Sequence, residues 1–364
     1  MSRQEKTTNP NRIRTAYLIN ILFLCGLTLA VLAAAVFLVF RLRGTGEELR
    51  RLEARIEAVQ GEKDKLYTQE EVDGEVAEAE RDARLTERNA MLQRIQSSLE
   101  SGENTLTMLR KLFPDDLVVR NGDRYYFYSI QSNVPISSFT EADFEQDAAG
   151  RMRYIGSDSS VRTRQGIDVS ENSGEIDWEA VYDDGMDFAF VSLGGRDADG
   201  NIRKDARFDK NVSGAARAGL ETGAYYRLTV VSEEEAVEDA EWVKRQLAAA
   251  GDEITGPVAV VVPMPGEEDR SFPLGRAQLT ACVRTFAGAV RDAGYDTVVF
   301  AGITAYTMKL DLAALSEEPK WVSDRGGELY FPYRFRYWQY SDRGEVDGID
   351  GRVNLDLWVS EPDR

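Results

Sequence analysis

The chain has 364 residues, a net charge of −19 and no histidine. An acidic surface of that size repels nucleic acid, and the missing histidine removes the commonest general base and metal ligand, so any catalysis must run on carboxylates, tyrosines or lysines. The two cysteines, Cys25 and Cys282, lie far apart in unlike segments, which argues against a small disulfide-stapled domain; neither a metal nor a cofactor is expected.

The charge is uneven. Residues 1–43 carry Arg3, Lys6, Arg12, Arg14, Arg41 and Arg43 against Glu5 alone. Within them, Ala16 to Phe40 is a stretch of 25 residues without a charge. At about 1.5 Å per residue it reaches ~37 Å, more than the ~30 Å hydrocarbon core of a bilayer. This predicts a cytoplasmic tail over 1–15 and a single transmembrane helix over 16–40. A cleaved signal peptide is the rival reading; the apolar run is too long for one and no clear small-residue cleavage site precedes Arg41. Basic residues flank both ends, so charge alone does not set the orientation.

Residues 44–113 are rich in Glu, Arg, Ala, Leu and Gln and are expected to form a helical stalk. Leu49, Leu52, Ile56, Val59, Lys63 and Leu66 recur at alternating three- and four-residue steps, and Leu85, Leu92, Ile95 and Leu99 form a second such stretch. That is a heptad seam, which predicts a homodimer through a parallel coiled coil; a single exposed charged helix is the alternative. Residues 114–164 follow as a hairpin and connector. Leu117–Val119 and Tyr125–Tyr128 flank Asn121-Gly122, the signature of a β-hairpin, and residues 131–164 read as a turn-rich link.

From Gln165 strands and helices alternate. Strands are expected at Gly166–Ser170, Phe188–Leu193, Gly223–Leu228, Val258–Val262 and Thr297–Ala301, with helices between them. Ser232 and Glu235 form a capping-box signature for the longest helix. Trp321–Ser323, Phe335–Tyr340 and Val353–Trp358 then follow as short strands with no helices between. The fold class is therefore α/β, a TIM-like (β/α)5(β)3 barrel over 165–360 that closes with an antiparallel tail.

Specific words in this region resemble glycoside hydrolase family 25, the lysozymes that cut peptidoglycan after N-acetylmuramic acid. They are GIDVS at Gly166, IDWEAV at Ile176, AGL at Ala218, GAYY at Gly223, PVAV at Pro257, AGY at Ala293, WQYS at Trp338 and GIDG at Gly348. The resemblance makes Asp168 the acid at the end of the first strand. It also implies an Asp-x-Glu at the end of the fourth, where this chain has Val261 and Pro263. An acid often found before the WQY strand is replaced by Arg336, and the closing Val-Asp-Leu-Asn reads Val353, Asn354, Leu355, Asp356, with Asp and Asn exchanged.

Glycosidic cleavage needs a proton donor and a negative charge beside the oxocarbenium-like centre. Valine and proline supply neither. The expected protein is thus a single-pass membrane protein of a bacterium, with an inactive lysozyme-like domain outside the membrane that serves as a module binding peptidoglycan or another wall glycan, or as a cell-envelope interaction module. Tyr225, Tyr226, Trp338 and Tyr340, with Asn354, are the candidate glycan contacts, unless the aromatics fill the barrel. The alternative is an active N-acetylmuramidase in which Glu267, Glu268 or Asp269 pairs with Asp168; the plain reading of that acidic run is a solvated turn. A third possibility is an envelope scaffold that binds no glycan.

Overall fold

The structure is a computed structural model that describes residues 25–29, 31–32, 68–326 and 328–360. The chain divides between Arg88 and Asn89 into two units. Residues 25–29 and 31–32 are helical and exposed; the rest of the expected span over 16–40 and the first heptad stretch lie outside the described residues. Among the described residues no helix is long and apolar enough to cross a membrane. Helix α1 runs from Gln69 to Glu100. Thr68 and Glu71 close its start reciprocally, with Thr68 N donating to Glu71 Oε2 at 2.9 Å and Glu71 N to Thr68 Oγ1 at 3.3 Å. Within the expected stalk over 44–113, helix α1 thus starts after Thr68, and residues 44–67 lie outside the described residues. Leu85, Leu92 and Leu99 lie exposed along α1 at seven-residue spacing.

Helix α2 (Thr105–Leu112) is capped by Asn104, and β1 (Asp116–Asn121) pairs antiparallel with β2 (Arg124–Ser129) around Gly122, whose φ of 60° the tight turn requires. The hairpin packs on the following domain: Val118 N donates to Tyr330 Oη at 2.7 Å, and Tyr330 Oη donates to Asp116 O at 2.9 Å. The connector has more structure than its polar composition suggests. It holds a second hairpin, β3 (Phe144–Gln146) with β4 (Met152–Tyr154), and Phe139, Phe144 and Tyr154 meet edge to face. Packing of these few aromatics, rather than periodicity, orders it.

The barrel has eight strands: β5 (Thr163–Val169), β6 (Phe188–Arg196), β8 (Glu221–Arg227), β9 (Val258–Val262), β10 (Thr297–Gly302), β11 (Lys320–Ser323), β12 (Tyr337–Gly344) and β13 (Val353–Val359). β7 (Ile202–Lys204) is a short ribbon on the end of β6. Seven barrel strands are parallel; β13 alone runs antiparallel, between β12 and β5, and closes the ring. The expected antiparallel tail is thus one strand, because Lys320–Ser323 and Tyr337–Gly344 still pair parallel. The outer helices are α3 (Trp178–Asp183), α4 (Phe208–Ala218), α5 (Glu233–Ala250), α6 (Arg276–Asp292) and α7 (Ile303–Lys309).

The interior is aromatic. Phe190 of β6 stacks on Trp321 of β11 at 4.2 Å, and Phe188, Ala259, Val298 and Tyr337 complete the plug. β6 and β11 are not neighbours, so these rings meet across the lumen. That contact fixes which parity of each strand points inward. Gly166 belongs to this inner row: a Cβ there would lie 2.3 Å from the Phe188 ring, which explains the glycine before Asp168.

Candidate functional site

Above the plug, the C-terminal ends of the parallel strands surround a cavity of about 920 Å³. The inner parity of each strand supplies its floor: Asp168, Ser192, Tyr225, Arg227, Val261, Phe300, Ser323, Gln339 and Asn354. Asp168 is partly buried and held on both oxygens. Gln339 Nε2 donates to Oδ2 at 2.6 Å and Asn354 Nδ2 to Oδ1 at 2.8 Å. Burial raises the Asp168 carboxyl above the usual carboxylate range, while the Asn354 and Gln339 amides pull it down.

One layer deeper on β13, Asp356 is fully buried, as its position opposite Gly166 dictates. Trp321 Nε1 donates to its Oδ1 at 2.8 Å, and Oδ2 has no partner. Burial and the Asp168 charge push the Asp356 carboxyl well above its ordinary range. A proton on Asp356 makes the orphan oxygen a donor to Asp168 and removes the like-charge repulsion. The two carboxyls are thus coupled, with burial and the neighbouring charge favouring the protonated form of Asp356. Asp356 has no surface to offer a ligand.

At the end of the fourth barrel strand, Val261 and Pro263 both line the cavity. The inward positions there hold an aliphatic side chain and an imino ring, so that wall gives no proton and no charge. The other cavity acids are occupied. Glu171 N donates to Asp205 Oδ2 at 2.9 Å and Ala206 N to Glu171 Oε2 at 3.0 Å, so each carboxylate serves a backbone amide. Asp324 follows β11 and accepts from Tyr330 N at 2.8 Å; its burial pushes the carboxyl up to about 6.

Several expected site residues lie elsewhere. Glu267 and Glu268 are exposed and Asp269 closes its own turn by accepting from Gly266 N at 2.7 Å; none of the three lines the cavity. The relocated acid pair does not form there, because the loop carries them out to solvent. Tyr226 has the outward parity and stacks on Phe286 of α6 at 5.5 Å, fully buried. Trp338 and Tyr340 are likewise enclosed outside the barrel, Trp338 against Phe144 at 5.5 Å and Tyr340 donating to Gln165 Oε1 at 3.0 Å. These three fill the core and cannot stack on a sugar. Tyr225 and Asn354 do face the cavity. Arg336 precedes β12 at the opposite end of the barrel, over the Trp358 ring at 5.6 Å, and is remote from Asp168. Sequence reasoning missed Asp324 and Arg227, which carry no local signal beyond strand parity, and read Asp356 only as an exchanged letter without placing it beside Asp168.

Among the described residues no group of three or more His, Cys, Asp or Glu is placed to hold a metal ion. The profile of glycosyl hydrolases family 25 matches residues 167–349. The chain is 24% identical over 193 residues to the autolytic lysozyme of Clostridium acetobutylicum and 28% identical over 200 residues to lysozyme M1 of Streptomyces globisporus. These alignments cover 53% and 52% of this chain, and the chain spans 55% and 66% of the lengths of the two relatives. In fold it is similar to the modular autolysin LytC of Streptococcus pneumoniae, solved with a synthetic peptidoglycan ligand, at a TM-score of 0.50 and 19% identity, covering 66% of each chain.

Proposed function

The chain belongs to glycosyl hydrolases family 25, and from that premise we propose that its barrel binds peptidoglycan without hydrolysing it, outside a bacterial membrane to which residues 16–40 anchor it. One observation carries the loss of hydrolysis: Val261 and Pro263 occupy the inward positions at the end of the fourth barrel strand. A positioned general acid contributes about 10²- to 10⁴-fold by itself, and that wall has none. Asp168 alone cannot replace it, being bound by two amides and paired with a protonated carboxyl. Tyr225 offers the accessible aromatic group for a sugar face. The 25-residue uncharged stretch supports the anchor, and the exposed row Leu85, Leu92, Leu99 supports a dimeric stalk.

The test is incubation of the detergent-solubilised full chain with purified sacculi. Retention on the sacculi without release of reducing ends is expected. Release that Asp168→Asn abolishes would overturn the reading. The second reading, an active muramidase, rests on Asp324, a cavity carboxyl raised to about 6 and so suited to donate a proton near neutral pH. Loss of release on Asp324→Asn would support it.

A further inference from the structure

We propose that the cavity selects an anionic group on its glycan, a carboxylate or phosphate, with Arg227 as the residue that holds it. This rests on the glycan-binding reading above and names the chemistry of the ligand.

Arg227 is the last residue of β8, on the inner row two positions past Tyr225, and it is exposed to the cavity. Its neighbours in the sheet register are Gly195 and Val261, and neither can pair with a charge. A Cβ on Gly195 would sit 2.7 Å from Arg227 O and 2.9 Å from Arg227 Cβ, so the glycine lets β6 close against the point from which the arginine side chain springs.

The other cations on the cavity wall are committed. Arg196 meets Asp239 at 2.7 Å, Arg203 meets Asp197 at 2.8 Å, Lys204 meets Asp209 at 2.7 Å and Arg325 meets Asp342 at 3.0 Å. Arg110 donates to Val118 O at 3.3 Å and lies 3.7 Å from the centre of the Tyr330 ring. Among the described residues the Arg227 side chain has neither a hydrogen bond nor an ion pair. Nor is a cavity acid free to swing onto it, since Asp168, Glu171 and Asp205 are each bound by amide N–H donors.

In a protein of net charge −19, six Lys and Arg side chains line this cavity against five Asp and Glu. Because Arg196, Arg203, Lys204 and Arg325 are neutralised by carboxylates, the attraction for an anion is local to the Arg227 guanidinium. A guanidinium offers parallel N–H donors that match two oxygens of a carboxylate or phosphate, which a neutral sugar does not present.

The experiment is calorimetric titration of the solubilised full chain with three probes: an N-acetylglucosamine–N-acetylmuramic acid disaccharide bearing its stem peptide with free carboxylates, the same compound with those carboxylates methylated, and a glycerol-phosphate oligomer. Wild type is expected to bind at least one anionic probe more tightly than the methyl ester. Arg227→Gln is expected to weaken that binding roughly 10- to 100-fold, as loss of a hydrogen bond to a charged group implies, and to leave the ester unchanged. Arg227→Lys should recover only part of the loss. The tighter of the two anionic probes identifies the source of the charge. Equal binding of acid and ester, or an unaltered Arg227→Gln, overturns the anion anchor; if Tyr225→Ala still abolishes binding in that case, the glycan module stands without it. Failure of wild type to bind any probe or sacculi removes the glycan reading and this inference together.

Discussion

Asn354 donates its side-chain amide to Asp168 Oδ1 at 2.8 Å, directly across the antiparallel seam where β13 closes the barrel onto β5. The acid two residues further along β13, Asp356, is sealed one layer below, bonded to Trp321. The amide thus stands on the cavity floor and the acid in the dry interior, where burial favours its protonated form.

Asn354→Asp is expected to remove the donor and set two carboxylates in register. At pH 7 this should destabilise the protein by about 2 kcal/mol. The pair's folded pKa would lie above the unfolded value, so stability is fully present below the unfolded pKa and is lost as pH rises through the folded one. Thermal unfolding at pH 4 and pH 7 checks this, with a smaller deficit at pH 4. Adding Asp356→Asn should restore most of the loss; a double variant no better than the single one would contradict the coupling of the carboxyls.

Asp324 gives a second pH dependence. Its folded carboxyl is pushed up to about 6 from an ordinary 3.8, so it binds more protons folded than unfolded between those values. Its contribution to stability is full below about 3.8 and falls as pH rises through about 6. Asp324→Asn keeps an acceptor for Tyr330 N and cannot titrate. Denaturation series from pH 4 to 7.5 should show the wild type losing on the order of 2 kcal/mol relative to the variant across that window. Parallel curves would remove the assignment.

The aromatic residues separate into two classes by parity. Trp338→Ala empties a fully buried site and should cost about 3–5 kcal/mol, read as a lowered Tm or loss of soluble protein. Tyr225→Ala opens onto the cavity and should cost much less stability while weakening retention on sacculi. If Trp338→Ala folded normally and lost only glycan binding, its placement outside the barrel would be wrong.

Val261→Asp with Pro263→Glu returns acids to the fourth strand. The carboxylate introduced by Val261→Asp would stand in register with Arg227 and be neutralised by it, while Asp168 stays bound to Asn354 and Gln339. Release of reducing ends from sacculi is expected to stay at the wild-type level, and robust release would show that the remaining site is still organised for hydrolysis.

The barrel was legible in the sequence because its strands are short apolar runs separated by helical repeats, and each run must bury both faces. Val258–Val262 is the clearest case, and its inert end could be read as Val261 and Pro263 before any coordinates. The same burial hid the site's remaining members. Tyr225 and Tyr226 are adjacent and alike in sequence, and only the stacking of Phe190 on Trp321 across the lumen decides which of them faces the cavity. Asp356 reads locally as an exchanged letter in Val-Asn-Leu-Asp. Its pairing with Asp168 depends on closure of the first strand against the last, a contact between the two ends of the domain. Local pattern therefore determined the strands, and the family resemblance added which acids are missing. Ring closure decided which side chains meet, because a strand covered on both faces leaves no polarity contrast to mark its inner side.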